Sequence, residues 1–308
     1  MHAPTGDQYH LQLDEGGRGV SAIVTEVAAG IRSLEVGGTA LVESFPESST
    51  PPGAAGIVLV PWPNRVAGGL WHHEGEALQL DITEPKTGNA IHGLLRFTGY
   101  RLLEREAHRV LQGASVFPQH GWPFLLATTV EHALVADGMV VTHTVANESA
   151  EPAPVAVGAH PYLRVGEVPV EELTLTVDAA TRILTDAKQI PIGEEPVEDT
   201  EADLRGGRLV GGLAIDHGYT DVGVVDGRSA HSLTAPDGRR VELWADASFP
   251  VVQVFTPTAF AAPEGPRRAV ALEPMTAPAD ALNSGTGLRY LQPGESWTLQ
   301  WGIRLAVG

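Results

Sequence analysis

Apolar and polar residues alternate at every second position over several stretches of this chain. Only an extended backbone sends successive side chains to opposite faces, so each such stretch predicts a strand with one buried side. Near the end of the sequence Leu299, Trp301, Ile303, Leu305 and Val307 share one face, while Gln300, Gly302 and Arg304 share the other. The segments Tyr9–Leu13, Leu173–Val177 and Arg240–Trp244 alternate in the same way. Thr128–Leu134 and Met139–Val145 are β-rich runs separated by Ala136-Asp137-Gly138, the pattern of a hairpin. Further turns are marked at Asp226-Gly227 and Pro236-Asp237-Gly238. The load of 35 glycines and 23 prolines among 308 residues favours many short elements over long helices. Helical periodicity is weak throughout. Its best window, Tyr100–Gln112, reads equally well as a pair of strands, and Pro191–Gly212 reads as a long acidic, then Gly-rich, surface loop. No repeat or linker divides the chain. The expectation is an all-β fold, one large twisted antiparallel β-sandwich spanning residues 1–308.

Charge and composition narrow the partners. With a formal net charge of −18, the surface repels phosphate backbones and anionic lipid, so neither nucleic acid nor a membrane is expected as a partner. The absence of cysteine removes disulfides, thiolate nucleophiles and cysteine-ligated metals. The opening residues carry neither a basic region nor an apolar one, and no stretch approaches the ~18 apolar residues of a membrane span. These features predict a soluble, cytoplasmic protein.

Five segments stand apart from the strand pattern. Pro61-Trp62-Pro63-Asn64-Arg65 fixes the backbone with two prolines just ahead of a planar guanidinium suited to hydroxyls or a carboxylate. Asn89-Ala90-Ile91-His92-Gly93 places a histidine in a tight glycine-bounded corner. In His160-Pro161-Tyr162 the proline pushes its histidine toward extended geometry, and the tyrosine two positions on suits a pocket wall. Asp216-His217 forms the fourth segment. The fifth runs from Glu273-Pro274-Met275-Thr276 to Asp280-Ala281 and Asn283-Ser284-Gly285, with Glu273 expected at the end of the buried strand begun by Ala269–Leu272. A carboxyl group held there would gain proton affinity and serve as a base near neutral pH. Taken singly, each segment reads as structural: a surface arginine in a turn, a hydrogen-bonded histidine, a carboxylate at a strand end.

In order and wording, the five together resemble the aldose 1-epimerase (galactose mutarotase) family. The resemblance extends from Pro61 to Gly285. Glu-Pro-Met-Thr and Asn-Ser-Gly are more similar to a bacterial branch of unassigned sugar than to the galactose enzymes. The resemblance implies a β-sandwich, in agreement with the period-two reading, and interconversion of the α and β anomers of a free hexose such as galactose or glucose, without cofactor or metal. It implies Glu273 as the base that takes the anomeric proton and His160 as the acid that protonates the ring oxygen. Arg65, His92 and Asp216 would bind the sugar, with Asn64 as a lesser contributor. Trp62, Trp122 and Trp244 are candidate platforms for a sugar face, although core packing suits at least two of them.

Rival readings have their own requirements. His72-His73-Glu74 cannot turn both rings toward one metal from a strand, and no HExxH spacing occurs. A glycosidase would pair Asp216 with Glu273 at ~5–9.5 Å. A non-catalytic sugar-binding module would have no need for both Glu273 and His160. A hexose 6-phosphate or a sulfonated hexose would need a cation near C6, for which Arg96, Arg164, Arg267 and Arg268 are the candidates. The implied partner is a small monosaccharide and the implied assembly a monomer or homodimer. A bell-shaped rate profile is expected, limited by Glu273 on the acid side and His160 on the basic side.

Overall fold

The alternating segments become the strands of two large sheets in a computed structural model that describes residues 2–262 and 264–306. Val307 lies outside the described residues. In the first sheet nine strands run in the order Arg101–Arg105, Arg109–Val116, Leu126–Val135, Gly138–Asn147, Ser296–Ala306, Arg240–Asp246, Arg228–Thr234, Thr174–Val177 and Arg208–Leu209. Tyr100–Gln112 is thus a strand pair rather than a helix. The hairpin Leu126–Val135 and Gly138–Asn147 alternates buried and half-buried residues almost without a break, as its sequence predicts. Arg240–Asp246 does not alternate: Glu242 is buried because Arg304 Nε donates to it at 2.7 Å, and the Arg228 guanidinium covers Trp244 at 4.1 Å.

The second sheet runs Pro191–Pro196, Ala179–Thr185, Asp216–Val222, Val251–Phe255, Val270–Met275, Gly158–Ala159 and Val58–Leu59, with Tyr162–Leu163 also paired to Val270–Met275. The predicted loop at Pro191–Gly212 therefore starts as an edge strand. Its two prolines and the adjacent Glu194 and Glu195 blunt that edge against further pairing. Among the described residues the strands of these two sheets pair antiparallel, and an isolated bridge between Val60 and Gly93 is parallel. A four-stranded sheet, Gln8–Glu15 to Thr39–Ala40, flanks these two. One continuous apolar cluster takes in Val130, Val141, Leu243 and Trp301 from the first sheet and Val252, Val254, Val270 and Leu272 from the second. The architecture is a large antiparallel β-sandwich. The single α-helical turn among the described residues is Ala281–Ser284, and no helix among them is long and apolar enough to cross a membrane.

The core of the first sheet contains histidines. His132, His143 and His231 are buried, and burial holds the first two down to about 3 and the third to about 4. Trp301 Nε1 donates to His143 Nε2 at 2.9 Å, which requires that nitrogen to be unprotonated. Each ring is neutral when folded, and its value lies below the unfolded one of about 6.5. Their contribution to stability is therefore complete above that pH and is lost as the pH falls toward the folded values. The melting temperature should drop by on the order of 10 °C between pH 7 and pH 4. A melting temperature that is flat over that range would show that these rings are protonated in the folded state.

Candidate active site

Three adjacent strands of the second sheet build the floor of a cavity. Along Val270–Met275, Val270 and Leu272 enter the main core, which leaves Ala271, Glu273 and Met275 on the opposite face. Gly218, Gln253 and Glu273 lie side by side in register across Asp216–Val222, Val251–Phe255 and Val270–Met275. A Cβ at position 218 would sit 3.1 Å from Gln253 Oε1, so the glycine leaves room for the glutamine. Glu273 is therefore in the middle of its strand, not at the end that the sequence suggests, because Pro274 continues it.

That proline and Pro161 interrupt the regular pairing of the sheet beside the site. On one side of the gap Gly158 pairs with Met275, and on the other Tyr162 pairs with Ala271. This shared register sets His160 opposite Glu273, with their side chains on one face. His160 spends its backbone N–H on Ile57 O at 3.0 Å, and its carbonyl accepts from Gly56 N at 2.8 Å, both on the far side. Toward Val270–Met275 the ladder positions fall on Pro161 and Pro274, neither of which has an N–H to leave unpaired. One ladder bond persists here, Leu272 N donating to Pro161 O at 3.2 Å, and the two side chains converge, His160 Nε2 standing 3.4 Å from Glu273 Oε1. Behind the histidine, Tyr162 stacks on its ring at 5.1 Å and donates to Gly53 O at 3.1 Å. It supports the imidazole from the core and does not form a wall of the cavity.

Of the remaining predicted residues, Asp216 begins a strand of the second sheet and Arg65 a two-residue strand, while Asn64 and His92 come from loops. Asn64 and His92 both have positive φ, 53° and 64°, and His92 N donates to Asn64 O at 2.8 Å. Gly93 follows at φ 71°, where a Cβ would lie 2.1 Å from Val60 O, so the corner requires glycine. Asp280 belongs to this corner too. Its N–H donates to Arg65 O at 2.6 Å, and its Oδ1 accepts from Ala67 N at 2.9 Å. The Asp-Ala pair read in the sequence is thus a clamp on the Asn64-Arg65 loop.

Asn64, Arg65, His92, His160, Asp216 and Glu273 all line one cavity of about 270 Å³. Gln253, Glu84, Thr83, Arg96 and Phe255 are also part of its walls. Gln253 Nε2 donates to Asp216 Oδ1 at 2.6 Å, and Arg65 Nη1 lies 3.8 Å from Asp216 Oδ2. Gln253 and Glu84 were not legible as site residues. A glutamine in an apolar strand and a glutamate in a turn carry no local signal, and only the register and the loop packing bring them here. The tryptophans are elsewhere: Trp62, Trp71 and Trp122 pack in the core with their rings tilted against one another, and Trp244 lies under Arg228. Arg164 and Arg267 are paired with buried Glu43, and Arg268 donates to Leu213 O, so Arg96 alone of the four candidate cations lines the cavity.

Electrostatics at the floor follow from burial. Glu273 is 2% and His160 5% exposed. Burial raises the proton affinity of Glu273 well above the usual carboxylate range, Asp216 adding to the effect and Arg65 opposing it. Burial lowers His160 to about 4, and Arg65 acts in the same direction. The order is the reverse of that expected from sequence. The acid limb of a rate profile would belong to the histidine and the alkaline limb to the glutamate, as macroscopic values of the pair. His92, edge-on to His160 at 5.3 Å between ring centres, is held neutral by burial and by the neighbouring His160, Arg65 and Arg96. Among the described residues Glu273 Oε2 and His92 Nδ1 are buried without a hydrogen-bond partner. No group of three His, Cys, Asp or Glu side chains among the described residues is arranged to hold a metal ion.

Comparison with known proteins bears on the family and the fold. The sequence pattern of the family described as Aldose 1-epimerase matches residues 9–304. The uncharacterized protein YihR of Escherichia coli (strain K12) is 30% identical over 284 residues, which cover 92% of this chain and 89% of YihR. The fold matches that of a GalM/aldose epimerase homologue from C. elegans with a TM-score of 0.82 at 17% identity, covering 97% of this chain and 99% of the other. It also matches a galactose 1-epimerase from Lactobacillus acidophilus NCFM with a TM-score of 0.75 at 17% identity, over 98% and 99% of the two chains. On the match to nearly its whole length, the chain belongs to the aldose 1-epimerase family.

Proposed function

We propose that the protein interconverts the α and β anomers of a free hexose by opening and reclosing its ring between Glu273 and His160. The observation that carries this reading is the buried pair at 3.4 Å on the cavity floor, a carboxyl group and an imidazole with proton affinities pushed toward neutral forms. Glu273, as carboxylate, takes the proton from the anomeric hydroxyl. The O1 lone pair becomes the carbonyl bond, the C1–O5 electrons pass to O5, and His160, as imidazolium, protonates O5. Rotation about C1–C2 presents the other face of the aldehyde, and reclosure runs both transfers backward. Because the empty pair favours protonated Glu273 and neutral His160, one proton moves between them before ring opening. Hydroxyl contacts to Glu273 Oε2 and the nearby Arg65 cation favour the carboxylate form.

Arg65, His92, Asp216 and Asn64 would hold the sugar hydroxyls, with Gln253 beside them. The cavity volume of about 270 Å³ falls just below the ~300–1,000 Å³ of drug-sized ligand sites, which suits a single sugar ring. The galactose 1-epimerase of similar fold supports galactose as a substrate to test, with glucose beside it. Polarimetric mutarotation of freshly dissolved α-D-galactose and α-D-glucose should accelerate with enzyme concentration and survive chelator treatment. Calorimetric binding of either sugar with no acceleration would identify a binding module instead.

One feature favours a second substrate class. Arg96 lines the cavity, donates to Thr83 O at 3.0 Å and, among the described residues, has no carboxylate within ion-pair distance. A hexose carrying a phosphate or sulfonate at C6 would supply the missing anion. Acceleration confined to such a sugar would move the assignment to this class.

A further inference from the structure

We infer that Glu84 is a positioning residue for the acid–base pair: it locks the Arg65 guanidinium in one orientation and offsets its charge beside Glu273 and His160. The inference rests on the site reading above and adds a residue that the reading does not use.

The geometry is specific. Arg65 Nε donates to Glu84 Oε2 at 2.8 Å and Nη2 to Oε1 at 3.0 Å, a bidentate fork. The Thr87 hydroxyl also donates to Oε2, so both carboxylate oxygens are engaged and Glu84 has little capacity left for sugar chemistry of its own. Two of the three guanidinium nitrogens are thereby committed. Nη1 is the nitrogen not held by Glu84; it donates to Asn64 Oδ1 at 3.3 Å and stands 3.8 Å from Asp216 Oδ2. The turn that carries Glu84 is itself fastened: Glu84 N donates to Asn89 O at 2.9 Å, and Asn89 Oδ1 accepts from Gly68 N at 3.1 Å. Asn89, read in the sequence as part of the histidine corner, thus ties this turn to the loop after Arg65.

The charges around this fork are mixed. Lys86 shares the turn with Glu84, and Arg96 approaches from the segment after His92. Asp216 approaches from its strand, Glu273 from the floor, and His92 and His160 from the facing loop and strand. Against them, Glu84 offsets part of the Arg65 charge, while the remainder still acts on Glu273 and His160. Without Glu84 it would act as a full cation, which favours carboxylate at Glu273 and disfavours imidazolium at His160. Both protonations would then shift to lower pH.

The test uses the full-length protein. The ring of His160, labelled with ¹⁵N and assigned by its loss in His160→Asn, is titrated by NMR without sugar in wild type, Glu84→Gln and Glu84→Asp. In Glu84→Gln the titration should move to lower pH. In Glu84→Asp, which keeps the charge but is too short for the full fork, it should stay in place. For turnover of the sugar found active, KM should rise about tenfold in both variants, the loss of one charge-assisted contact, and change more than kcat. In an Arg65→Gln background Glu84→Gln should raise KM no further, since no guanidinium is left to orient. A His160 titration unmoved by Glu84→Gln, or moved equally by Glu84→Asp, overturns the inference. A shift in a protein that turns over no sugar would leave it standing and remove the mutarotase assignment instead.

Discussion

Replacing Glu273 by Gln should lower kcat by about 10²–10⁴-fold, the span of a single general acid–base group, while the protein stays folded. The substitution keeps the size of the side chain and most of its packing in a site that is 2% exposed. It removes only the ability to take the anomeric proton. The same change should hold or raise the melting temperature at neutral pH. A carboxyl group whose folded value lies above its unfolded one adds stability below the unfolded value, and that contribution is lost as pH rises through the folded value. At neutral pH the unfolded chain gains from ionising Glu273 while the buried group resists it, and the amide has no such dependence. Loss of turnover with undiminished stability is the signature of a group kept for chemistry at a cost to the fold. A near-wild-type rate would remove Glu273 from the mechanism. A collapse of the melting temperature would instead make it a structural residue.

His160→Asn should lower kcat by a comparable factor, about 10²–10⁴-fold, with KM changed much less. Asparagine can still offer a hydrogen bond to the ring oxygen, so ground-state binding largely survives, but it cannot deliver a proton as C1–O5 breaks. The pH dependence separates this from a binding role. In wild type the acid limb should follow His160, which burial holds at about 4, and the alkaline limb Glu273, which burial holds well above its ordinary range. The variant should lose the acid limb attributed to the imidazole and keep a dependence on Glu273. A rise in KM alone, with kcat intact, would make His160 a sugar-binding residue. Tyr162, stacked on the ring and anchored to Gly53, keeps the imidazole in place in wild type, so the asparagine variant tests chemistry with the surrounding support unchanged.

Much of the fold was legible from local pattern. The terminal strand Ser296–Ala306 buries Leu299, Trp301 and Ile303 on the face that the alternation assigns to them. The hairpin at Ala136-Asp137-Gly138 forms where its turn residues stand, because period-two alternation and turn chemistry are properties of neighbours in the chain. Where a distant partner intervenes, the pattern misleads. Glu242 reads as a solvent-facing residue and is buried by Arg304, while Pro191–Pro196 reads as loop and is recruited to a sheet edge. The residue types and order of the five motifs pointed to the family before any contact was known.

Proton affinities and orientation were not in that order. His160 and Glu273 are 113 positions apart in sequence and become a pair through a register interrupted at two prolines. Their protonation order follows from desolvation on the cavity floor, which reverses the order expected from free side chains. Arg65 could be recognised as a guanidinium with a use, but only the turn packed against it shows that Glu84 holds two of its three nitrogens. Sequence by itself determined which segments are strands, where the chain turns and which chemical groups are available, since these depend on residues a few positions apart. Tertiary structure alone decided which groups meet, how dry their meeting place is and which of them carries the proton, because solvent exclusion and electrostatic fields act across space between residues far apart in the chain.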